Sequence, residues 1–296
     1  MPPRISIVLP NYNSAPTLER TLLSLQNQNY PNLQLIFMDS KSTDDSLKIV
    51  ERYHTLFDKI IIEKDNGQAD GINRGFAHAT GDIFAWLCCD DELAPGALHH
   101  VAHLFEKNPH VDVVNGACDL RFPDGSSCLR TPDPDPWSKV AVQCCLEQPA
   151  TFWRASLHKK LGKLNDRYNL AFDWDLWNRM RKARAAILQT DQTLAIYHFS
   201  ATNKTGSAGR QFVNEASCIL RQYGPYFGLI APIYRFLYKH FDLHGCYDKP
   251  PTCTLLRSHM FIWTLAALRL LIGQRLLYLY NWHFASCQER GLKWWV

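Results

Sequence analysis

The sequence predicts an α/β fold in which a mostly parallel sheet carries helices on both faces. Four short runs have the β-branched and aromatic composition of strands: ISIVL (5–9), LQLIFM (33–38), KIIIE (59–63) and DIFAWL (82–87). Segments of helical character follow the first three of these runs. Strands that alternate with helices in this way build a parallel sheet that is covered on both faces.

The stretch of residues 14–28 predicts a helix after the first strand. Ser14 stands in front of the helix, Pro16 lies near its first turn, and leucines recur at helical spacing inside it. Beyond residue 92 the parallel pattern stops. Residues 94–108 predict another helix, and residues 111–130 predict a hairpin around the turn sequence PDGS.

A proline-rich connector, TPDPDPW (131–137), closes one unit and opens another. Beyond it we predict a strand in QPATFWR (148–154) and a helix in residues 170–183 that begins at Asp173 or just before it. Residues 185–200 predict two further strands.

Charge and composition set the C-terminal part of the chain apart. Residues 216–296 hold nine Lys or Arg against three acids and 16 of the 36 aromatic residues, whereas the first 215 residues hold 23 basic and 25 acidic residues. A basic, aromatic segment on a near-neutral body predicts a partner of its own. We therefore expect three parts: residues 1–108 and 109–215 as two halves of one domain, and residues 216–296 as a helical extension.

The pattern of this extension predicts a helix that lies on a membrane surface. Its uncharged runs are far shorter than the ~20 residues that a membrane-spanning helix needs. On a helix, Arg257, Thr264 and Arg275 align to within about 20°, while Arg269 falls off that line. Such an imperfectly amphipathic helix suits an anionic bilayer surface. The alternative is a helical cap that is buried on the rest of the protein.

The overall composition predicts a soluble, ordered protein in a reducing compartment. Hydrophobic residues make up 46% and charged residues 20% of the 296 residues, which excludes a disordered chain. Ten cysteines are scattered, the N-terminus MPPRISIVLP lacks a signal-peptide layout, and no CxxC pair occurs. We therefore expect a cytoplasmic protein without a disulfide framework or a structural zinc site.

Two adjacent carboxylates, Asp90 and Asp91, follow the fourth predicted strand directly. Like charges side by side are costly unless solvent or a cation screens them, so they lie either on a wet loop or at a cation site. Ligands of parallel sheets bind beyond the carboxyl ends of the strands. The loops expected to meet there are residues 10–14, 39–45, 64–70 and 88–92.

These stretches together resemble the family-2 glycosyltransferases, whose Rossmann-like nucleotide-sugar-binding fold is called GT-A. The matching residues are SIVLPNYNSAPTLERTLLSLQNQNYPNLQLIFMDSKSTDDS, KDNGQADGINRGFAHATGDIFAWLCCDDE, QPATFWR and FDWDLWNRM, in that order along roughly residues 4–200. The resemblance implies that residues 1–108 bind a nucleotide sugar and that residues 109–215 bind an acceptor. It does not cover the last ~90 residues.

The resemblance implies that Asp90 and Asp91 form an Asp-x-Asp-type motif for Mg²⁺ or Mn²⁺. A divalent cation held by carboxylates neutralises the charge that grows on a departing nucleoside diphosphate. Asp91 is then the direct ligand and Asp90 lies nearer the ribose or diphosphate. His198 stands where many relatives carry a histidine near the metal, with a structural histidine as the alternative. Because thiols suit hard cations poorly, we expect Cys88 and Cys89 to back the site rather than ligate.

The resemblance assigns the donor site to residues of the first half. It implies that Asp39, at the end of the second strand, accepts a hydrogen bond from the nucleobase. Ser40 departs from the version of this motif that has two acids. For Tyr12 in the first loop, the alternative is that its ring only packs against other side chains. We expect Asp44 and Asp45 to cap a helix. The implied donor-binding residues are Pro10, Tyr12, Asp39, Asp65, Asp70, Asn73 and Asp90.

In FDWDLWNRM the resemblance assigns the catalytic base to Asp173. Inverting transfer needs one carboxylate to take the proton of the acceptor hydroxyl while that oxygen attacks the anomeric carbon. Phe172 replaces an acid that often precedes this position, and the alternative for Asp173 is a helix N-cap. Asp175 is better placed to pair with Arg179 at (i, i+4).

For the acceptor pocket the resemblance implies Gln148, Trp153 and Arg154, with core packing as the alternative for Trp153. The sequence thus predicts an inverting, metal-dependent glycosyltransferase of bacterial surface polysaccharide synthesis. Its expected partners are a nucleotide-sugar donor, a glycan or lipid-linked acceptor, and the anionic surface at the inner face of the cell membrane. We expect no nucleic acid as a partner.

Other functions remain possible at this stage. A sugar nucleotidyltransferase would need a Gly-rich basic loop after the first strand, and an NAD-dependent oxidoreductase would need GxGxxG there; PNYNSAPTL offers neither. A non-catalytic membrane scaffold with this fold stays open, as do the oligomeric state, the donor sugar and the linkage.

Overall fold

The computed structural model describes residues 2–200, 204 and 209–224, together with helical positions 231–232, 235, 255–256, 259–260, 263, 266–267 and 270. The chain forms two compact units. The first comprises Met1–Pro136 and Leu146–His198, and the second comprises Trp137–Cys145 and Phe199–Val296. The predicted division at residues 108/109 and 215/216 stays a prediction.

A nine-stranded mixed sheet forms the centre of the first unit. Its strands lie in the order β3-β2-β1-β4-β8-β6-β9-β5, and β7 pairs with β6 at the side of this path. The strands are β1 (Ile5–Asn11), β2 (Leu33–Asp39), β3 (Lys59–Ile62), β4 (Ile83–Trp86), β5 (Glu92–Leu93), β6 (Val113–Arg121), β7 (Ser127–Arg130), β8 (Thr151–Arg154) and β9 (Ile187–His198).

The first four strands pair in parallel, which confirms the predicted α/β sheet. Ile5 of β1 lies opposite Leu33 of β2 and Ile83 of β4, and β3 joins the outer side of β2. The next neighbour, β8, runs antiparallel to β4, so the run of parallel pairs from β1 to β4 ends there. The prediction that parallel pairing stops beyond residue 92 is wrong for β6 and β9, which pair in parallel. All seven residues of β1 are buried, as expected for a strand covered on both faces.

Helices cover the sheet and connect its strands. Leu18, Leu22 and Leu25 of the first helix are at most 1% exposed, so the predicted leucine face does pack into the core. Burying one leucine is worth about 1.5–3 kcal/mol. The helices are α1 (Ala15–Gln26), α2 (Ser46–Arg52), α3 (Gln68–Phe76), α4 (Ala97–Lys107), α5 (Pro136–Lys139), α6 (Ala155–Leu161), α7 (Phe172–Lys182) and α8 (Gly209–Tyr223).

The prediction of two strands in residues 185–200 is wrong, because β9 is one continuous strand. The polar, turn-like residues around Asp191 lie within β9, at the point where its register against β6 shifts. The shifts fall on either side of Ala117. Gly116 permits this close approach, since a Cβ there would lie 2.3 Å from the Leu194 side chain. Long-range pairing with β6 outweighs the local turn signal.

A cluster of tryptophans fixes α7 against the sheet. The rings of Trp86 at the end of β4 and Trp177 of α7 stack with centroids 6.0 Å apart, and Trp153 of β8 meets both edge-on. Phe172, the first residue of α7, packs on Trp86 at 5.9 Å. Helix α7 therefore begins beside the end of β4. The last residue of β4, Trp86, precedes Asp90 by four residues.

Candidate functional site

The carboxyl ends of β1 and β2 hold a buried polar pair. Asp39 is 1% exposed, and its carboxylate accepts hydrogen bonds from the Asn11 amide at 2.7 Å and from the backbone and hydroxyl of Ser42 at 2.8 and 2.6 Å. The Oδ1 atom of Asn11 is also buried and has no hydrogen-bond partner within the described part of the chain. A buried acceptor of this kind is a place for a ligand donor.

The predicted donor residues Pro10 and Tyr12 lie at the same edge. The Pro10 carbonyl accepts a weak bond from the Cys89 thiol at 3.4 Å. Tyr12 is 58% exposed, so the packing alternative for it is wrong. The ammonium of Lys64 lies 4.8 Å above its ring. An open ring next to a cation is well placed to meet a flat, anionic ligand.

Asp65 shapes the loop that leads into α3. Its carboxylate accepts the backbone N–H of Gly67 at 3.0 Å. Gly67 has φ +118°, a backbone conformation that glycine adopts at low cost. A Cβ at Gly71 would lie 2.7 Å from an oxygen of Asp65, so this glycine allows close approach.

Two other predicted donor residues are occupied by structural bonds. Asp70 accepts the Asn66 N–H at 3.0 Å and Arg74 at 2.7 Å; burial opposes these bonds, but they lower the pKa of Asp70 overall. Asn73 is 7% exposed, and its amide exchanges two bonds with the backbone of Leu164 at 2.9 and 2.8 Å. Both ends of this amide thus tie α3 to the Leu164 loop, and donor contact by Asn73 stays a prediction.

The adjacent acids form a cluster with one cysteine. Ligand atoms of Cys88, Asp90 and Asp91 all lie within 4.8 Å of one another. Asp91 is 2% exposed and Asp90 is half-buried, so the wet-loop interpretation is wrong for Asp91. Burial raises the pKa of both carboxyls, and the charge of Asp90 raises that of Asp91 further. A cation between them would relieve both costs.

One face of α1 holds the backbone of the acid loop, a feature that the sequence reasoning missed. Its polar side chains stand at i, i+3, i+4 and i+7, which places them on one helix face. The bonds run from Thr17 to the Cys89 carbonyl (2.7 Å), from Arg20 to the Asp90 carbonyl (2.9 Å), from Thr21 to the Asp91 carbonyl (2.7 Å) and from the Leu93 N–H to Ser24 (3.1 Å).

His198 lies beside the acid cluster at the end of β9. Its Nε2 bonds to Glu92 at 2.6 Å, and its backbone N–H donates a long bond of 3.4 Å to Asp91. Arg20 pairs with the same Glu92 at 3.2 Å. Burial lowers the pKa of His198 although Glu92 opposes the shift. The metal-capable group among the described residues consists of Cys88 and the two acids, and the role of His198 as a metal ligand stays a prediction.

Asp173 occupies the first turn of α7 and is half-buried. Ala171 holds the N-cap position, so the plain N-cap alternative for Asp173 is wrong, although its carboxylate accepts the Trp174 N–H at 2.6 Å. The contact between Phe172 and Trp86 places this turn beside the end of β4. The predicted pair of Asp175 and Arg179 is confirmed at 2.8 Å.

The three predicted acceptor residues have different surroundings. Gln148 borders the acid cluster: its amide donates to the Trp86 carbonyl at 2.7 Å, and its oxygen faces the Cys88 sulfur at 3.7 Å. Trp153 is fully buried and packs in the tryptophan cluster, so it does not line a pocket.

The guanidinium of Arg154 is likewise structural rather than acceptor-facing. It donates to the carbonyls of Val111, Phe105 and Asn108 at 2.7, 3.0 and 3.3 Å. These bonds fasten β8 to the end of α4.

Among the cap predictions, Asp44 is confirmed, since it accepts the Ala15 N–H at 2.9 Å and the Ser46 N–H at 3.0 Å.

Sheet order, acid cluster and tryptophan-anchored helix together define an α/β domain with a polar site at the carboxyl ends of its parallel strands. The sequence profile of glycosyl transferase family 2 matches residues 6–183. The match covers more than half of the chain, and the chain therefore belongs to glycosyl transferase family 2; it is a glycosyltransferase.

Curated relatives align with parts of the chain. A PGL/p-HBAD biosynthesis glycosyltransferase of Mycobacterium tuberculosis is 30% identical over 177 residues, which are 58% of this chain and 68% of that protein. Aligned segments span between 38% and 68% of the lengths of the first relatives.

Solved structures share the fold. The mannosyltransferase PcManGT of Pyrobaculum calidifontis, solved with GDP-Man and Mn²⁺, has a TM-score of 0.61 at 18% identity and covers 98% of this chain and 87% of its own. TarS of S. aureus, solved with UDP, has a TM-score of 0.56 at 16% identity over 98% of this chain and 88% of its own. At these identities the likeness establishes the GT-A-type fold.

Proposed function

We propose that this chain is an inverting, metal-dependent transferase that moves a sugar from a nucleoside diphosphate to a hydroxyl of a glycan or lipid-linked acceptor. The pathway proposed is bacterial surface polysaccharide or glycolipid synthesis, as the name of the mycobacterial relative suggests. The observation that carries the proposal is the cluster of half-buried Asp90 and buried Asp91 beyond the end of β4.

The donor set of the cluster fits a divalent cation. Two carboxylates lie side by side in a largely dry setting, Arg20 offsets only part of the cost of burying them, and oxygen ligands suit Mg²⁺ and Mn²⁺. Asp91 and Asp90 would hold the ion, which when bound neutralises charge on the departing diphosphate. The solved complex of PcManGT with GDP-Man and Mn²⁺ supports this assignment by analogy of fold.

The donor nucleoside is proposed to lie over the ends of β1 and β2. Asn11 offers a buried acceptor, and Asp39 holds the Asn11 amide in place. Tyr12 offers an exposed ring face, and Lys64 adds positive charge above it. Together these groups supply a hydrogen-bond acceptor, a stacking surface and a cation for an anionic nucleotide.

Asp173 is proposed as the base that takes the acceptor proton. It lies in the first turn of α7 and is half-buried, and one of its carboxylate oxygens accepts the Trp174 N–H; as the base it would take the proton of an acceptor hydroxyl. Attack from the side of α7 while the diphosphate departs on the side of the acid cluster inverts the anomeric carbon.

The test is a screen of nucleotide sugars for transfer and hydrolysis with Mn²⁺ or Mg²⁺. Asp91→Asn should abolish metal-supported turnover. Asp173→Asn should keep donor binding and lose roughly 10²- to 10⁴-fold in transfer rate. Asp45→Asn removes an exposed carboxylate that pairs only with Lys48 at the surface, and it should leave the rate unchanged. Full activity in chelator, or no turnover with any donor, would overturn the proposal; the second result would favour a scaffold.

We also propose that the C-terminal extension binds an anionic membrane at the inner face of the cell membrane. Large apolar side chains at its described helical positions expose between 50% and 88% of their surface: Leu255, Leu256, Met260, Trp263 and Leu270. On a helix at about 100° per residue these positions fall within an arc of about 140°.

Charge supports this surface. Arg257 and Arg275 lie outside the described residues; on a helical wheel drawn from the sequence alone, they fall about 60° beyond the edge of the apolar arc. Residues 216–296 carry nine basic against three acidic residues. No helix within the described residues is long and apolar enough to cross a bilayer. An apolar stripe flanked by arginine suits insertion at the level of lipid headgroups.

Vesicle co-sedimentation of the full chain tests the membrane proposal. Reversing Arg257 and Arg275 to Glu should weaken binding to phosphatidylserine vesicles by roughly 30-fold, at ~1 kcal/mol per residue, and change binding to neutral vesicles less. The matched control reverses two exposed lysines of α6, Lys159 and Lys160, and should bind as the wild type does. Equal binding by both double variants would refute the proposal.

A further inference from the structure

The two adjacent cysteines of the acid loop have different environments. Cys89 is 3% exposed, and its thiol points back to the Pro10 carbonyl, so it backs the site as expected from the sequence. Cys88 is half-buried, and its sulfur lies within 4.8 Å of carboxylate oxygens of Asp90 and Asp91. The sulfur of Cys88 is thus part of the group that can hold a cation, while the sulfur of Cys89 is not.

The spacing within this group suits one shared ion. Two ligand atoms on opposite sides of one ion stand at most ~4.4 Å apart, from ~2.3 Å for sulfur and ~2.1 Å for a carboxylate oxygen. The observed limit of 4.8 Å exceeds this span by only a few tenths of an ångström. Ordinary side-chain rotation is enough to close such a gap.

We propose that Cys88 is a direct ligand of the cation, so that the site is a mixed sulfur and oxygen site. The proposal rests on the proposed metal-dependent function and deepens it. Carboxylate-only sites suit Mg²⁺, whereas a sulfur ligand favours softer ions such as Co²⁺, Zn²⁺ and Cd²⁺. The chain is therefore selective for thiophilic divalent ions over Mg²⁺. On binding, the sulfur forms a bond to the ion and its proton passes to solvent.

Two glutamines orient the sulfur. The amide of Gln68, the first residue of α3, donates to the sulfur at 3.3 Å. The Cys88 thiol in turn donates to the oxygen of Gln148 at 3.7 Å. A donor aimed at a sulfur stabilises the negative charge that the sulfur carries on a metal. Gln68 is therefore a positioning residue of this site.

Cobalt absorption tests the proposal without any nucleotide. The full-length, chelator-treated protein is titrated with Co²⁺ alone, and the near-ultraviolet sulfur-to-cobalt charge-transfer band is recorded. We expect the band in the wild type and in Cys128→Ser, which removes an exposed thiol on β7, and no such band in Cys88→Ser. Gln68→Ala should keep the band and weaken Co²⁺ binding by roughly 10- to 100-fold, the usual loss for an outer partner of a ligand.

A second variant separates ligation from folding. Cys88→Asp replaces sulfur by oxygen and should bind Mg²⁺ more tightly than the wild type, bind Cd²⁺ at least about tenfold more weakly and show no charge-transfer band. Calorimetric titration with Mg²⁺ alone and Cd²⁺ alone measures both changes.

Three results would overturn the proposal: a wild type that binds no Co²⁺, a wild type that binds it without the band, or a band that persists in Cys88→Ser. A transferase that works equally well with Mg²⁺ in the wild type and in Cys88→Ser would also remove Cys88 from the metal while leaving the proposed transferase activity intact. Loss of turnover with every metal and donor would count against the proposed function instead, since the Co²⁺ titration contains neither donor nor acceptor.

Discussion

Mild acid should destabilise the first unit through His158 of α6, a half-buried histidine. Its ring lies among aromatic rings, 4.7 Å from Phe76 and 5.3 Å from Phe84. Its Nδ1 atom is buried and has no hydrogen-bond partner among the described residues. Burial first, and then the positive charge of Arg179, lower the pKa of His158 to about 4.

The sign and size of the effect follow from linkage. An unfolded histidine has a pKa of about 6.5, so between about pH 6.5 and about pH 4 the unfolded chain binds the proton and the folded chain does not. The contribution of His158 is therefore present above about pH 6.5 and is lost as the pH falls towards about 4. At about 1.4 kcal/mol per pH unit, the free energy of unfolding should fall by about 2 kcal/mol from about pH 7 to about pH 5.

Urea unfolding at these two pH values, for the wild type and for His158→Phe, measures this contribution. The phenylalanine keeps a ring among Phe76, Phe84 and Trp153 but cannot take a proton. Its pH-dependent loss should be smaller than that of the wild type by about 2 kcal/mol. His110→Gln, at an exposed histidine, should lose as much as the wild type does. If His158→Phe and the wild type lose the same free energy, the histidine is solvated and the reasoning fails.

Three further changes test the frame around the site. Gly81→Ala should lower the free energy of unfolding in urea by about 1–3 kcal/mol, because its Cβ would lie 2.7 Å from the Arg4 carbonyl. Thr21→Val leaves the Asp91 carbonyl without its bond; calorimetry should show weaker Mn²⁺ binding, and unchanged binding would mean that α1 does not position the loop. Arg154→Lys should lower the melting temperature while the KM for the acceptor stays the same, whereas a raised KM would restore Arg154 to the acceptor site.

The parallel half of the sheet was predictable because local and long-range signals agree there. Each strand from β1 to β4 is a short apolar run, and each is buried where the pattern places it, apart from the exposed edge strand β3. Residues 185–200 show the limit. Their polar middle reads locally as a turn, but the chain continues as β9 because β6 supplies a partner along its whole length. Pairing between strands so distant in sequence is not visible in a local pattern.

For the site, the sequence could predict which residues follow which strand but not which way they face. Asp39, Asp90 and Asp91 lie at the expected sheet edge, since parallel strands bring their carboxyl ends together. Trp153 and Arg154 follow a family pattern too, yet one is fully buried and the other serves three backbone carbonyls. Motif position alone does not separate a pocket residue from a core residue.

The two side-by-side acids make sense once the backbone and side chains of their loop are considered separately. Thr17, Arg20 and Thr21 take the carbonyls of three successive residues, Cys89 to Asp91, and so fix the backbone, while the charge of Arg20 offsets only part of the cost of burying the two carboxylates. Fixing a loop in this way limits how far two like charges can move apart, which keeps the repulsion between them. A site built to bind a cation gains from that arrangement, because the ion meets ligands that are already gathered and in need of positive charge.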